Sequence, residues 1–366
     1  MEKTKKDRNS MADHDDTQSL YMGSDFLEDD NVGMRLTEGH TFGTTVNSSD
    51  VLSTLSLRQL SIQDDLSSSC QYDDVTESDF YETLQDSSRK NALLMKTYSH
   101  VPVQLSFHGE FSAALTTDDE RCWLFGAADL TDGRIVLLDY NNTKLKVFDQ
   151  SLKPVVDITL SGSCGGLCAV DTDRVAVTCN TGIQFYSIRQ TSIRVDQYLE
   201  LGQESDGITY DTAMFAVSCS ILKMAASIKL LDRQGHIKAD IKETNVRNGV
   251  IFSSNLLIHY IKKCVYVSDW GERKGVVSLS FTGTVLWTCP VGGLPRGLSL
   301  INSGILVVSN PSRRGIHQVK TEDGRPVQTI DTDDLGVIHA SLVLYRKASK
   351  NILVTQLGSD ICKILE

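Results

Sequence analysis

Along residues 100–366 the apolar and polar positions fall into short runs, many alternating, divided by Gly, Asn and Asp turns. One phrase recurs six times, a β-branched apolar run ending in a small or polar residue. The copies are RIVLLD (Arg134–Asp139), RVAVTC (Arg174–Cys179), MFAVSC (Met214–Cys219), CVYVSD (Cys264–Asp269), ILVVSN (Ile305–Asn310) and NILVTQ (Asn351–Gln356). Measured on Leu137, Val177, Val217, Val267, Val308 and Val354, the steps are 40, 40, 50, 41 and 46 residues. A four-stranded unit repeating every 40–50 residues or so predicts a β-propeller blade.

Three more columns accompany this strand. A shorter run precedes it: WLFGAADL (Trp123–Leu130), GGLCAVD (Gly165–Asp171), DGITYD (Asp206–Asp211), NGVIFS (Asn248–Ser253), RGLSLI (Arg296–Ile301) and VIHASLVL (Val337–Leu344). A third strand follows it, as in KLKVFD (Lys144–Asp149) and DICKIL (Asp360–Leu365), and five copies add an outer strand, as in PVVDITL (Pro154–Leu160). The alternation within these runs fits half-buried antiparallel strands. No outer strand follows the sixth copy, and an unpaired sheet edge invites aggregation. VPVQLSFHGEF (Val101–Phe111) is the strand-like stretch left over, so it is predicted to close the ring on the C-terminal blade. The expected fold is all-β: one six-bladed propeller over residues 100–366, preceded by a disordered acidic region at 1–99.

Charge supports that division. The chain carries a net −11, and residues 1–99 hold nine basic against nineteen acidic residues, leaving the remainder near neutral. The N-terminal third is rich in Ser, Thr, Asp and Asn. Its thin apolar content cannot offset an ordering cost of about 1–2 kcal/mol per residue. A transient helix is the one local structure expected there, near residues 77–96, with Phe80, Leu84, Leu93 and Leu94 as its apolar positions. Basic-then-serine spacing at Arg58–Ser61, and acidic neighbours at Ser78, Tyr72 and Tyr81, mark Ser61, Ser78, Tyr72 and Tyr81 as phosphorylation candidates.

The nine cysteines are expected to be reduced thiols in a cytoplasmic protein, since the basic start MEKTKKDRNS leads into MADHDDTQSL, not an apolar stretch. No run reaches the roughly 18 apolar residues of a membrane span. Cys164-Gly165-Gly166-Leu167-Cys168 lacks the spacing and the partner pair of a zinc site, and reads as a loop leading into a strand. Its diglycine, like Gly292-Gly293, reads as a turn. No metal and no cofactor are expected.

The blades DGRIVLLDYNNTKLKVFD (Asp132–Asp149) and LPRGLSLINSGILVVSNPSRRGIHQVKTEDGRPVQTI (Leu294–Ile330) resemble the NHL repeat, a six-bladed propeller module. Asp139 and Asp269 keep the Asp that typically ends its second strand, and Asn310 stands in for it; Cys179, Cys219 and Gln356 depart from it. The whole resembles the C-terminal part of tripartite-motif proteins with NHL domains. Those carry zinc-bound RING and B-box modules, whereas residues 1–99 offer only Cys70, His14 and His40. The resemblance implies a non-catalytic scaffold that recruits protein partners, related to ubiquitin-ligase pathways.

Two other classes compete. Single-stranded RNA binding would use a basic face with stacking aromatics; loop basics exist, but acidic neighbours offset them. A calcium-dependent hydrolase would gather oxygen ligands at the channel, with Asp129, Asp171, Asp211 and Asn302 as candidates. Each of these sits near a strand end, where Asp and Asn form turns. No nucleophile elbow or P-loop is present. For partner contact the residues singled out are Arg247, Arg296 and Arg313, which recur near comparable blade positions, with Trp270 and Arg273.

Overall fold

The computed structural model describes residues 102–219, 227–242, 252–269 and 274–366. Among these, the strands form six four-stranded antiparallel sheets, and the two helical segments are short 3-10 turns. Blade one is β2 (Leu124–Asp129), β3 (Ile135–Asp139), β4 (Lys144–Phe148) and β5 (Pro154–Thr159). Blade two is β6 (Cys164–Asp171), β7 (Arg174–Cys179), β8 (Gly182–Ile188) and β9 (Ile193–Glu200). Blade three is β10 (Ser205–Asp211), β11 (Met214–Cys219), β12 (Ser227–Asp232) and β13 (Ile237–Lys242). Blade four is β14 (Phe252–His259), β15 (Cys264–Asp269), β16 (Gly275–Ser280) and β17 (Val285–Pro290). Blade five is β18 (Leu298–Asn302), β19 (Ile305–Asn310), β20 (Gly315–Lys320) and β21 (Pro326–Asp331). Blade six joins β22 (Ala340–Arg346), β23 (Asn351–Gln356) and β24 (Ile361–Leu365) to β1 (Phe107–Ser112). The fold is a six-bladed β-propeller.

The recurring phrase is the second strand of each blade, and packing explains its continuous apolar run. Such a strand is buried on both faces, so each parity of its residues serves a different core. In β3, Val136 and Leu138 enter the cluster shared with blade two, while Ile135 and Leu137 enter the one shared with blade six. The six apolar clusters each draw on two neighbouring blades. Full burial of one such side chain contributes about 1.5–3 kcal/mol. The first strands of successive blades touch one another round the ring and so line the central axis. The fourth strands lie outermost, and β9 is exposed along most of its length.

The ring closes where β1 pairs with β24, from Phe107 opposite Leu365 to Ser112 opposite Ile361. Ser106 N–H donates to the Glu366 carbonyl at 2.7 Å, and Glu366 N–H returns a bond to Ser106 at 3.0 Å. Within the described part of the predicted closing stretch, strand begins at Phe107. Ahead of it, Val103 is gripped at both backbone groups by the buried Gln318 side-chain amide of β20, at 2.9 and 2.5 Å.

Candidate functional site at the channel mouth

Two positions of the recurring phrase build one face of the ring. The fifth is a hydroxyl in five blades: Thr178, Ser218, Ser268, Ser309 and Thr355, all fully buried. Three of these donate across the blade interface to a carbonyl at the start of the next inner strand: Thr178 to Asp206, Ser268 to Arg296 at 2.7 Å and Ser309 to Ser341 at 2.6 Å. Ser218 accepts from Gly207 N–H at 2.8 Å, and Thr355 from Leu342 N–H at 3.1 Å, within their own blades. Blade one has Leu138 here and replaces the bond by contact: a Cβ on Gly126 would lie 3.3 Å from that of Leu138 and 2.6 Å from that of Leu167.

The sixth position ties the segment leading into the inner strand to its own blade. Asp139 accepts from Trp123 N–H at 2.9 Å, and Asn310 donates to the Gly292 carbonyl at 2.8 Å. Gln356, which departs from the repeat in sequence, fills the same role: it accepts from Ile338 N–H at 2.7 Å and donates to the Ile361 carbonyl at 3.0 Å. In blade two the slot is apolar, with Cys179 facing Cys164.

These columns fix where the mouth residues sit. Asp206 and Arg296 hold the same repeat position, each carbonyl pinned from the blade before. Asp206 has no hydrogen-bond donor to its carboxylate among the described residues. Burial pushes it up to about 6, partly opposed by the positive charge of Arg296 two blades away. The carboxylate lies directly over Gly165, and a Cβ on Gly166 would stand 2.7 Å from the Asp206 carbonyl, so blade two must be glycine at both positions. The diglycine is therefore inside β6, as the run Gly165–Asp171 predicts, and not in a turn or a loop leading into the strand. Gly292 and Gly293 are turn residues, with φ of 69° and 57°.

On blade one, Trp123 packs edge to face on Phe125 and Tyr140, with centroids 5.1 and 5.8 Å apart, and Phe125 and Tyr140 lie tilted against each other at 4.8 Å. None is fully buried, and Tyr140 is 38% exposed. On blade five, Arg313 is exposed in the turn after β19, and its guanidinium lies over the Gly292 turn. Arg296 leads into β18, so the two arginines hold different repeat positions, contrary to the sequence expectation, though adjacent loops of one blade carry them. Arg247, Trp270 and Arg273 lie outside the described residues, as do Ser61, Tyr72, Ser78, Tyr81 and the 77–96 segment.

Beside the aromatic group is a buried charge cluster. The Lys146 ammonium contacts Asp118 and Asp139 at 2.6 Å each, the Ala113 carbonyl at 3.1 Å and the Cys122 sulfur at 3.3 Å. Asp118, Cys122 and Asp139 converge closely enough to hold a cation, and Lys146 supplies it. Burial pushes the Asp139 carboxyl up, but bonds from Lys146, Asn142 and Trp123 N–H outweigh it and leave the group below the ordinary range. The cluster locks the Ala113–Trp123 connection, which joins the last blade to the first.

The opposite face carries the residues suggested for calcium. Arg233 grips Asp171 at 2.5 and 2.6 Å, Asp211 accepts from Tyr260 N–H at 2.8 Å and Asp129 from Lys347 N–H at 2.9 Å, while Asn302 closes a turn onto Gly304 and Ile305. The three aspartates tie their strand ends to the neighbouring blade and Asn302 caps its own turn, so the four do not gather into one ligand set.

Sequence reasoning missed Asp206 and the aromatic group. Asp206 read as the polar start of a strand, and the register opposite the buried hydroxyl is the signal that would have singled it out.

No family model matches the chain, and no curated protein matches it. Solved structures do. A protein of unknown function from Bacteroides thetaiotaomicron aligns over 71% of this chain and 73% of its own, with 10% identity and a TM-score of 0.55. A luciferin-regenerating enzyme aligns over 70% of this chain and 94% of its own, with 14% identity and a TM-score of 0.52. At such identities the likeness reaches the backbone alone, and what this chain shares with these structures is the propeller fold.

Proposed function

We propose that the protein is a non-catalytic scaffold that binds a protein partner at the face where the inner strands begin. The observation that supports this most is Asp206, a crowded carboxylate with no donor among the described residues, set in the same mouth as Arg296 and a half-exposed aromatic group. Aromatic residues beside a few placed charges are what protein interfaces concentrate at their energetic centres. A crowded carboxylate gains most from a cationic side chain brought by the partner. The mixture of charge disfavours single-stranded RNA, which calls for a continuous basic track. The NHL-like blade text adds support for partner recruitment, including to ubiquitin ligases whose zinc modules sit on other chains.

Affinity capture with the full chain tests the reading. Asp206→Asn and Tyr140→Ser should each weaken partner retention by about tenfold or more. Ile261→Ser, at a 73%-exposed turn of the opposite face, should leave it unchanged. Retention should survive ribonuclease. Loss of every partner on ribonuclease treatment, or full retention by both mouth variants, would overturn the proposal.

A further inference from the structure

We infer that Cys164 and Cys179 form a reversible dithiol–disulfide pair, a site of oxidation by peroxide built into blade two beside the channel mouth. The two residues are direct partners across β6 and β7. Asn180 N–H donates to the Ser163 carbonyl at 3.0 Å, the bond that flanks a pair lacking its own ladder bonds. In such pairs the Cα atoms approach to about 4.5 Å, inside the span a disulfide bridges. Both side chains lie in the same apolar cluster, and the Cys164 thiol donates to the Gly162 carbonyl at 3.7 Å. All eight described cysteines are free and buried, so the pairing, and not exposure, distinguishes these two.

The Cys179 thiol holds Cys164 below its ordinary range, while Cys164 and burial push Cys179 up. In the proposed step Cys164 is the sulfur oxidised first. Its thiolate takes one oxygen from hydrogen peroxide, giving a sulfenic acid and one water. The Cys179 sulfur then attacks that sulfur, and a second water leaves as the disulfide forms. Two thiols are oxidised by two electrons and one peroxide is reduced to two waters. A thiol reductant reverses the step by exchange.

The pair's position gives the oxidation a consequence. A disulfide draws the two sulfurs to about 2.05 Å, closer than two thiols pack. Bonding therefore shifts the start of β6, where a bulge follows Cys164. The next residue, Gly165, lies under the Asp206 carboxylate with no room for an added atom. Oxidation in blade two thus displaces a mouth residue of blade three. Cys168, four residues on, cannot substitute: it packs in the cluster shared with blade three, whereas Cys164 and Cys179 lie in the one shared with blade one.

The test uses the full chain, reduced and then treated with equimolar hydrogen peroxide. Remaining thiols are alkylated, and tryptic peptides are read by mass spectrometry. The expected product is a cross-link between the peptides carrying Cys164 and Cys179, removed by dithiothreitol. It should be retained in Cys168→Ser and lost in Cys164→Ser and Cys179→Ser. The wild-type result decides even if a variant fails to fold. Oxidation of other cysteines without this link, or progression of Cys164 to sulfinic acid, would overturn the proposal. Hydrogen exchange of the oxidised chain should change at residues 163–167 and 205–208. Unchanged exchange at 205–208 would overturn the coupling to the mouth. Both readouts stand apart from any partner, so they fail separately from the proposed scaffold role.

Discussion

Asp139 in blade one and Cys179 in blade two hold the same place in the repeat, and their surroundings have nothing else in common. Asp139 is a fully buried carboxylate that a lysine neutralises at 2.6 Å. The lysine stands opposite Leu137 on β4; the corresponding residue opposite Val177 on β8 is Gln184, whose amide turns away to the Gln197 carbonyl at 2.8 Å. Blade two thus has no cation for its slot and fills it with a neutral thiol. The repeat dictates a buried slot at the end of the second strand, and the neighbouring strand decides whether that slot can bear charge. Blade one also needs more from it, because the long connection from β1 crosses there and must be held.

Removing the lysine breaks the comparison most severely. Lys146→Met leaves Asp118 and Asp139 buried without a cation and should cost about 3–5 kcal/mol, read by urea unfolding. In the intact protein the folded Asp118 and Asp139 carboxyls lie below their ordinary values. Their contribution is therefore present above about pH 4 and is lost as acid protonates them, so Lys146→Met should flatten the acid limb of the stability curve.

The reverse transplant, Cys179→Asp, places a carboxylate where blade two has no partner for it. A cost of about 3 kcal/mol at pH 7 is expected, shrinking as pH falls toward 4, opposite in sign to blade one. A Cys179→Asp chain as stable as wild type at pH 7 would show that the slot tolerates charge anywhere.

Ser309→Ala sharpens the adjacent column. It strips the Ser341 carbonyl and the Gly297 N–H of a buried partner and should cost about 2 kcal/mol. The smallest effect has the opposite sign. Asp206 titrates near 6 in the fold, above its unfolded value, so its charge costs stability progressively between about pH 4 and 6 and fully above. Asp206→Asn should be more stable than wild type at pH 7, with the difference vanishing below about pH 4. Weaker partner capture by this more stable variant would separate binding from folding.

The propeller was legible because its cause is local and repeated. Second strands buried on two faces must read as unbroken β-branched runs, and their spacing counts the blades. The site was far less legible. Arg296 and Arg313 could be named as loop basics, yet nothing in the sequence shows that the Arg296 carbonyl is pinned from the blade before or that Arg313 lies over the Gly292 turn. The diglycine at Gly165-Gly166 resembles a turn because two glycines relax the backbone; its reason is the Asp206 carboxylate forty residues on. Gln356 looks like a lost repeat residue, although its amide makes the same kind of tie as Asn310.

By itself the sequence determined which residues are buried and how often the sheet recurs, since burial periodicity follows from strand geometry and the hydrophobic effect alone. Only the tertiary structure decided which repeat position meets a cation, which meets a thiol and which carboxylate is crowded against a glycine. Those outcomes depend on side chains brought together from different strands and blades, and the energy of a charge in a core is set by the atoms within a few ångströms of it and not by its place along the chain.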